Sequence, residues 1–377
     1  MTRHLLVTND FPPKVGGIQS YLAELWHRLD PNSFSVLTAT SDDRAAEFDA
    51  EWRAQGFDVL RVPSRTLFFP TSRVRKAIEA AISSSGAELV LLDPAWPLGL
   101  VGPKLSVPYG VVLHGAEVTI PGRLFFLRRS LAKVLRGAAI AIAAGTYPAR
   151  EGVRAMGHDF ERVVNVPPGV DTTRFSPPTP EQRAEVRRSL KISDTTHLVV
   201  SISRLVPRKG MDVLIRAAHE LHRDGHDLVV AIGGRGRDRK HLERLAKRGP
   251  ARVDFLDFVA DEDLPGILGA ADVFAMLCRN RWAGLEQEGF GIVFLEAAAC
   301  GVAQLAGRSG GSADAVEHGV TGHIVEEPRS VSAVAQALKG LLENPELAEM
   351  GRASRLRAEA SFSYDHLSST LGRSLNE

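Results

Sequence analysis

Short apolar runs alternate with amphipathic stretches along this whole chain, and that alternation admits little besides parallel α/β sheets. In the first half, His4–Thr8, Ser35–Thr38, Leu89–Leu92, Tyr109–Leu113 and Ala139–Ala143 read as buried strands. Ile18–Leu29 reads as a helix, because Ile18, Leu22, Leu25, Trp26 and Leu29 fall on one face. In the second half, Leu198–Ser203, Asp227–Gly233, Val253–Phe255, Val273–Met276 and Val302–Ala306 read as strands, with helices over Asp212–Arg223 and Arg237–Lys247. Between the halves lies Val166–Pro180, whose prolines at 167, 168, 177, 178 and 180 exclude a helix and make a stiff extended connector. The expected fold class is α/β, with two doubly wound, Rossmann-like domains over residues 1–166 and 181–360, a Pro-rich linker over 167–180, and a cleft between the carboxyl ends of the strands. The amphipathic tail, residues 361–377, is expected to pack across the domain boundary.

Composition excludes several classes. A chain of 377 residues, 44% hydrophobic and 24% charged, suits a soluble globular protein of two domains. A formal net charge of +1 argues against a general nucleic-acid binder. No apolar run approaches the roughly 20 residues of a membrane span, and the opening residues read as a strand rather than a signal peptide. Cys278 and Cys300 are too few for a disulfide framework or a cysteine zinc site. The expected compartment is the cytoplasm.

Four loops that follow predicted strands carry suggestive chemistry. Gly16-Gly17, directly before a helix, makes an anion-tolerant N-terminus or a plain turn. His114-Gly-Ala-Glu117 ends a strand with a group able to bind a polar ligand, or with a satisfied structural histidine. In Arg204-Leu-Val-Pro-Arg-Lys-Gly210, a Pro-bent loop can fold Arg204 and Lys209 toward one diphosphate, a planar fork beside a compact charge; a solvated basic loop is the alternative. The fourth loop, Glu288-Gly-Phe-Gly-Ile-Val-Phe-Leu-Glu296, carries two carboxylates about 2.2 helical turns apart, so they cannot share one face at one height. Glu288 therefore belongs in the loop and Glu296 in the helix, while Gly289 and Gly291 let helix-start N–H groups approach an anion. Together the loops suggest a nucleoside diphosphate carrying a sugar.

In this order along nearly the whole chain, these motifs resemble the retaining GT-B glycosyltransferases of glycosyltransferase family 4. The resemblance extends to Pro168-Gly-Val-Asp-Thr-Thr-Arg-Phe175, Gly310-Gly311 and Gly319-Val-Thr-Gly322. Thr8-Asn-Asp-Phe-Pro-Pro13 with Gly-Gly-Ile-Gln-Ser-Tyr21 is most similar to actinobacterial phosphatidylinositol mannosyltransferases that use GDP-mannose. The resemblance implies that Arg204 and Lys209 hold the donor diphosphate, with backbone N–H groups of Phe290, Gly291, Ile292 and Val293. It implies Glu296 on the ribose, Glu288 on the donor sugar, His114 near the reacting carbon and Val259, in the loop 256–260, beside the base. Gly16 and Gly17, counted with the donor residues, would lie toward the acceptor, for which Asp10, Gln19, Glu117 and Arg123 are the candidates. No metal or other cofactor is implied, since Arg204 and Lys209 supply the charge; the nucleotide sugar is a co-substrate. No residue reads as an enzymic nucleophile, so front-face attack is expected, the leaving phosphate taking the acceptor proton.

The pattern departs at Ala116, where a histidine is usual, at Ala313-Asp314, at Gln304 in a buried strand, and at Arg281-Trp-Ala283, where a tryptophan changes the shape of the site. These departures bear on the acceptor. A UDP- or ADP-sugar donor with a soluble inositol phosphate or oligosaccharide acceptor is the alternative reading, followed by a sugar-nucleotide epimerase and a non-catalytic sugar-nucleotide-binding subunit. A dehydrogenase lacks its G-x-G-x-x-G. Arg123–Arg136 holds five basic residues and no acidic one, with Arg129, Lys133 and Arg136 on one side of a helix and Leu124, Leu127, Leu131 and Leu135 on another. Such a helix either packs on its own sheet or meets an anionic membrane surface, which would make the enzyme peripheral on the inner face of the plasma membrane near a glycolipid acceptor.

Overall fold

The computed structural model describes residues 2–40 and 42–377, which form two compact units. The first runs to Pro168 and regains Tyr364–Glu377; the second is Gly169–Ser363. In the first unit, strands β1 (His4–Thr8), β2 (Phe34–Ala39), β3 (Val59–Val62), β4 (Leu89–Asp93), β5 (Tyr109–Leu113), β6 (Ala141–Ala143) and β7 (Val163–Asn165) form one parallel sheet in the order β3-β2-β1-β4-β5-β6-β7. In the second, β8 (His197–Ile202), β9 (Leu228–Gly233), β10 (Arg252–Asp257), β11 (Val273–Met276), β12 (Ala303–Gly307) and β13 (Gly322–Val325) are parallel in the order β10-β9-β8-β11-β12-β13. Every residue of β1, β2, β4, β5, β9 and β11 is buried, as expected of strands covered by helices on both faces.

The strand order reverses between β1 and β4 in one sheet and between β8 and β11 in the other. At such points the connections leave in opposite directions and open a crevice beyond the strand ends, where ligands of α/β proteins bind. Thr8 and Asp93 are the last residues of β1 and β4 and lie in register.

Several expected boundaries move. Pro180 is not linker but the first residue of a helix, Pro180–Ser189, where its missing N–H costs nothing. Thr179 caps that helix reciprocally with Gln182. Strands β3, β7 and β13 escaped the sequence reading because they are short and lack a continuous apolar run. At the tail, Phe362 belongs to the core of the second unit, whereas Leu367, Leu371 and Leu375 of helix Tyr364–Asn376 belong to that of the first. There Ser368 Oγ donates to Leu25 O at 3.0 Å, and Arg28 Nε meets Asp365 at 2.9 Å.

The basic stretch expected as one helix over residues 123–136 breaks at Leu124, between helices Ala116–Arg123 and Phe125–Arg136. Leu131, Val134 and Leu135 face the core. Arg128 donates to the carbonyls of Ala155 and Arg154, and Arg136 to that of Met156, satisfying the end of helix Thr146–Met156. Those two cations are therefore structural. Arg129 and Lys133 are exposed, beside Phe125 and Phe126, which are 72% and 81% exposed.

Candidate active site

In the second unit, β8 runs into the loop that carries Arg204, Arg208 and Lys209, while β11 runs into Cys278 and the segment that ends at Glu288. Lys209 Nζ lies 2.8 Å from Glu288 Oε2 and 3.3 Å from Met276 Sδ. Arg208 Nη1 donates to the same carboxylate oxygen, and Cys278 Sγ approaches it at 3.4 Å. Burial would raise the Glu288 pKa, but Lys209 and Arg208 together outweigh it and hold this carboxyl below its usual range. Burial, then Glu288 itself, pushes the Cys278 thiol far up, so it stays protonated. The site is thus one ionised carboxylate between two cations, all three buried.

Glu288 leads into helix Ile292–Ala299 through Gly291, which takes the left-handed conformation at φ 91° and leaves the helix without a side-chain cap. Uncapped N-terminal amides suit an anion. Gly310 and Gly311 lie flush on this loop: a Cβ on either would stand about 2 Å from the carbonyl oxygen of Glu288 or Gly289. Gly311 N–H donates to Glu288 O at 3.0 Å. Phe290 is buried in the core, so only its backbone is available to a ligand. Glu296, on the helix, has its pKa raised by burial from 4.5 to about 7; Arg174 opposes the shift and Asp261 adds to it. Val259 packs over the end of β9 at Gly233, which has no side chain to hold it off.

In the first unit, His114 follows β5 and its Nε2 lies 2.7 Å from Asp93 Oδ1. Thr8 Oγ1 donates to the other oxygen of Asp93 at 2.5 Å. Burial would lower the His114 pKa, but Asp93 raises it by more, with help from Glu117 and Asp10. The contact with Asp93 thus favours a proton on Nε2 and leaves Nδ1 as the other polar atom of the ring. Tyr21 packs its ring edgewise against this imidazole, with centroids 5.6 Å apart. Asp10 accepts from Gln19 Nε2 at 2.7 Å, and burial, then Asp93, raises its pKa. Gly16 precedes helix Gly17–Trp26 with extended backbone, and its bareness leaves room for the Gln19 side chain.

Measured against the sequence reading, the structure joins Lys209 to Glu288 and Asp10 to Gln19, and it gives three candidates partners or surroundings that the sequence did not show. Arg204 is exposed, and it is Arg208 that shares Glu288 with Lys209. Glu117 is occupied by its own loop, accepting from the N–H groups of His114 and Gly115. Arg123 forms a two-point pair with Glu151, at 3.1 and 2.9 Å. Glu117 and Arg123 thus hold their own surroundings in shape. Gln304 finds its partner in Phe294 O at 2.5 Å, although its Oε1 stays unpaired. Asp93 and Thr8 were missed because the aspartate ends an apolar run that seemed to stop at Leu92. Its position at a strand terminus was the available signal.

Two parallel, doubly wound units with charged loops at their switch points are the architecture of the GT-B class. Residues 182–357 match the model of the family described as glycosyl transferases group 1. The chain is 39% identical to the GDP-mannose-dependent alpha-(1-6)-phosphatidylinositol monomannoside mannosyltransferase of Mycobacterium tuberculosis, covering 98% of this chain and 97% of that one. It is 38% identical to the corresponding GDP-mannose-dependent monoacylated monomannoside enzyme of Corynebacterium glutamicum, over 96% of this chain and 94% of the relative. Among solved structures, Anabaena HepE in complex with UDP and glucose superposes with a TM-score of 0.77 at 21% identity, covering 99% of both chains. This chain belongs to the group 1 glycosyl transferases.

Proposed function

We propose that this enzyme transfers mannose from GDP-mannose to a phosphatidylinositol monomannoside, with retention of configuration. The observation that carries the reading is near-full-length kinship with two mannosyltransferases of that specificity, together with the charged site at the β8–β11 switch point. The phosphates take the uncapped amides from Phe290 to Val293, with Lys209 and Arg204 as cations. Lys209 then moves from Glu288 toward the developing charge on the leaving diphosphate, and this kind of stabilisation is commonly the largest catalytic contribution. Arg208 remains on Glu288, so the buried carboxylate keeps a counter-ion while it accepts hydrogen bonds from the donor sugar. Glu296 binds the ribose and Val259 borders the base. His114, oriented by Asp93, offers Nδ1 to the sugar near the reacting carbon, and Asp10 and Gln19 serve the acceptor. The acceptor hydroxyl attacks the anomeric carbon from the leaving-group face, and the departing phosphate takes its proton.

The membrane surface enters through Phe125 and Phe126. Two exposed phenylalanines beside Arg129 and Lys133 suit shallow insertion into an anionic bilayer, as a lipid acceptor requires. Among the described residues no helix is long and apolar enough to cross a membrane.

The test supplies radiolabelled GDP-mannose with phosphatidylinositol monomannoside in vesicles and follows the lipid product and its anomeric configuration. A dimannoside carrying a new α linkage is expected. Turnover of UDP- or ADP-sugars in place of GDP-mannose would overturn the donor assignment, and transfer to inositol phosphate alone would overturn the acceptor.

A further inference from the structure

We infer that Trp282 is a specificity-determining residue that receives the apolar C–H face of a sugar ring. The inference rests on the glycosyl-transfer reading above and adds a residue to it. Trp282 is 62% exposed, whereas Trp26 and Trp52 are buried and Trp96 is half-buried. Trp282 and Ala283 both occupy the left-handed region, at φ 50° and 52°. A side chain disfavours this conformation, and glycine would avoid the cost.

The strained turn is held firmly. Arg281 N–H donates to Glu286 O at 2.9 Å and Glu286 N–H returns to Arg281 O at 3.2 Å, a one-bridge hairpin whose tip is Trp282-Ala283-Gly284. The Arg281 and Glu286 side chains pair across it at 2.9 Å, and Gln287 Nε2 donates to Gly284 O at 2.7 Å. Both ends of the hairpin are tied to Glu288. Glu286 lies 3.8 Å from Arg208, the cation on Glu288, while Ser309 Oγ accepts from Glu288 N–H at 3.2 Å and donates to Asn280 at 2.8 Å. The turn is therefore linked by contacts to the carboxylate assigned to the donor sugar. The Arg281 guanidinium stands over the indole, 4.8 Å from its ring. With Arg281 over the ring and most of the residue exposed, the indole is a flat apolar platform fixed at the rim of a polar site. Pyranose rings present such a site with one apolar C–H face and a rim of hydroxyls. That ring is either the donor's mannosyl group or the mannose of the acceptor, and the chemistry is the same for both.

Trp282→Gly and Trp282→Phe separate this role from a structural one. Glycine relieves the strained backbone, so Trp282→Gly should melt no lower than wild type while its KM rises about tenfold for one substrate, with kcat within about twofold. Trp282→Phe keeps an aromatic face and should hold KM within about threefold of wild type. A rise for GDP-mannose identifies the donor sugar, and a rise for the monomannoside identifies the acceptor. Binding gives a readout independent of turnover: indole quenching by GDP-mannose but not GDP, or by methyl α-mannopyranoside, lost in both cases in Trp282→Gly. Wild-type protein that makes no mannosylated lipid would sink the mannosyl assignment alone; Trp282 is then judged by each nucleotide sugar against its bare nucleotide, and by methyl glycosides. Unchanged KM and unchanged sugar binding in Trp282→Gly would overturn the inference. So would a lowered melting temperature with loss of kcat, the mark of an indole that merely holds the loop.

Discussion

Glu296 should make this enzyme measurably pH-dependent in both stability and donor affinity. Its carboxyl is raised by burial from 4.5 to about 7, so the folded chain holds a proton there that the unfolded chain releases near pH 4.5. Stability from this group is full below pH 4.5 and is lost as pH rises through about 7. Displacement from 4.5 to about 7 corresponds to about 3.4 kcal/mol overall, of which about 2.5 fall between pH 5 and pH 8. Partial exposure of the residue brings the expected figure to about 1–2 kcal/mol. Glu296→Gln has no proton to release. Calorimetry at pH 5 and pH 8, following the transition that responds to added GDP, should show the variant gaining on wild type by that amount at the higher pH. Donor binding should behave oppositely, because ribose hydroxyls donate best to an ionised carboxylate. With a pKa of about 7 the ionised fraction falls from roughly nine-tenths at pH 8 to one-tenth at pH 6, so KM for the donor should rise up to about tenfold over that interval. Glu296→Gln should show a raised and nearly flat KM. A wild type and variant whose stability difference and KM ratio are the same at both pH values would refute the reasoning.

Lys209→Ala and Glu288→Ala should each lower turnover by at least ~100-fold, and near-normal steady-state rates in both would reject the site. Asp93→Asn removes the largest contribution that raises the His114 pKa, so the imidazole should titrate lower, as read from its C–H resonances by NMR. The part of stability that rests on protonated His114 is present below pH 6.5 and lost as pH rises through the folded pKa; in Asp93→Asn that loss should shift to lower pH. Phe125→Ser combined with Phe126→Ser should reduce co-sedimentation with phosphatidylinositol vesicles at least about fivefold while leaving GDP binding intact. Equal sedimentation of variant and wild type would remove these side chains from the membrane.

Much of the architecture was open to reading because its cause is local. A parallel strand covered on both faces must be apolar throughout, so β1, β5 and β11 could be bounded to the residue. Edge and short strands such as β7, with Val163 41% exposed, carry no such run and were missed. Lys209, Glu288 and Glu296 could be picked out as candidates, since glycine before a helix and cations after a strand mark an anion-tolerant loop by residue type. Which groups touch was not legible. Spacing pointed to Arg204 and Lys209, whereas the turn at Pro207–Lys209 also carries Arg208 onto Glu288. Glu117 and Arg123 looked available in the chain and are spent, one on backbone amides and the other on Glu151. Asp93 lies 21 residues from His114, and only the adjacency of β4 and β5 brings the two together. The sequence by itself determined the two parallel sheets, the chemical character of their loops and the family, because burial, turn and charge preferences act over a few residues. Tertiary structure alone decided which cation neutralises which carboxylate and how far Glu296 is raised, because those depend on distance and dehydration between segments remote in the chain.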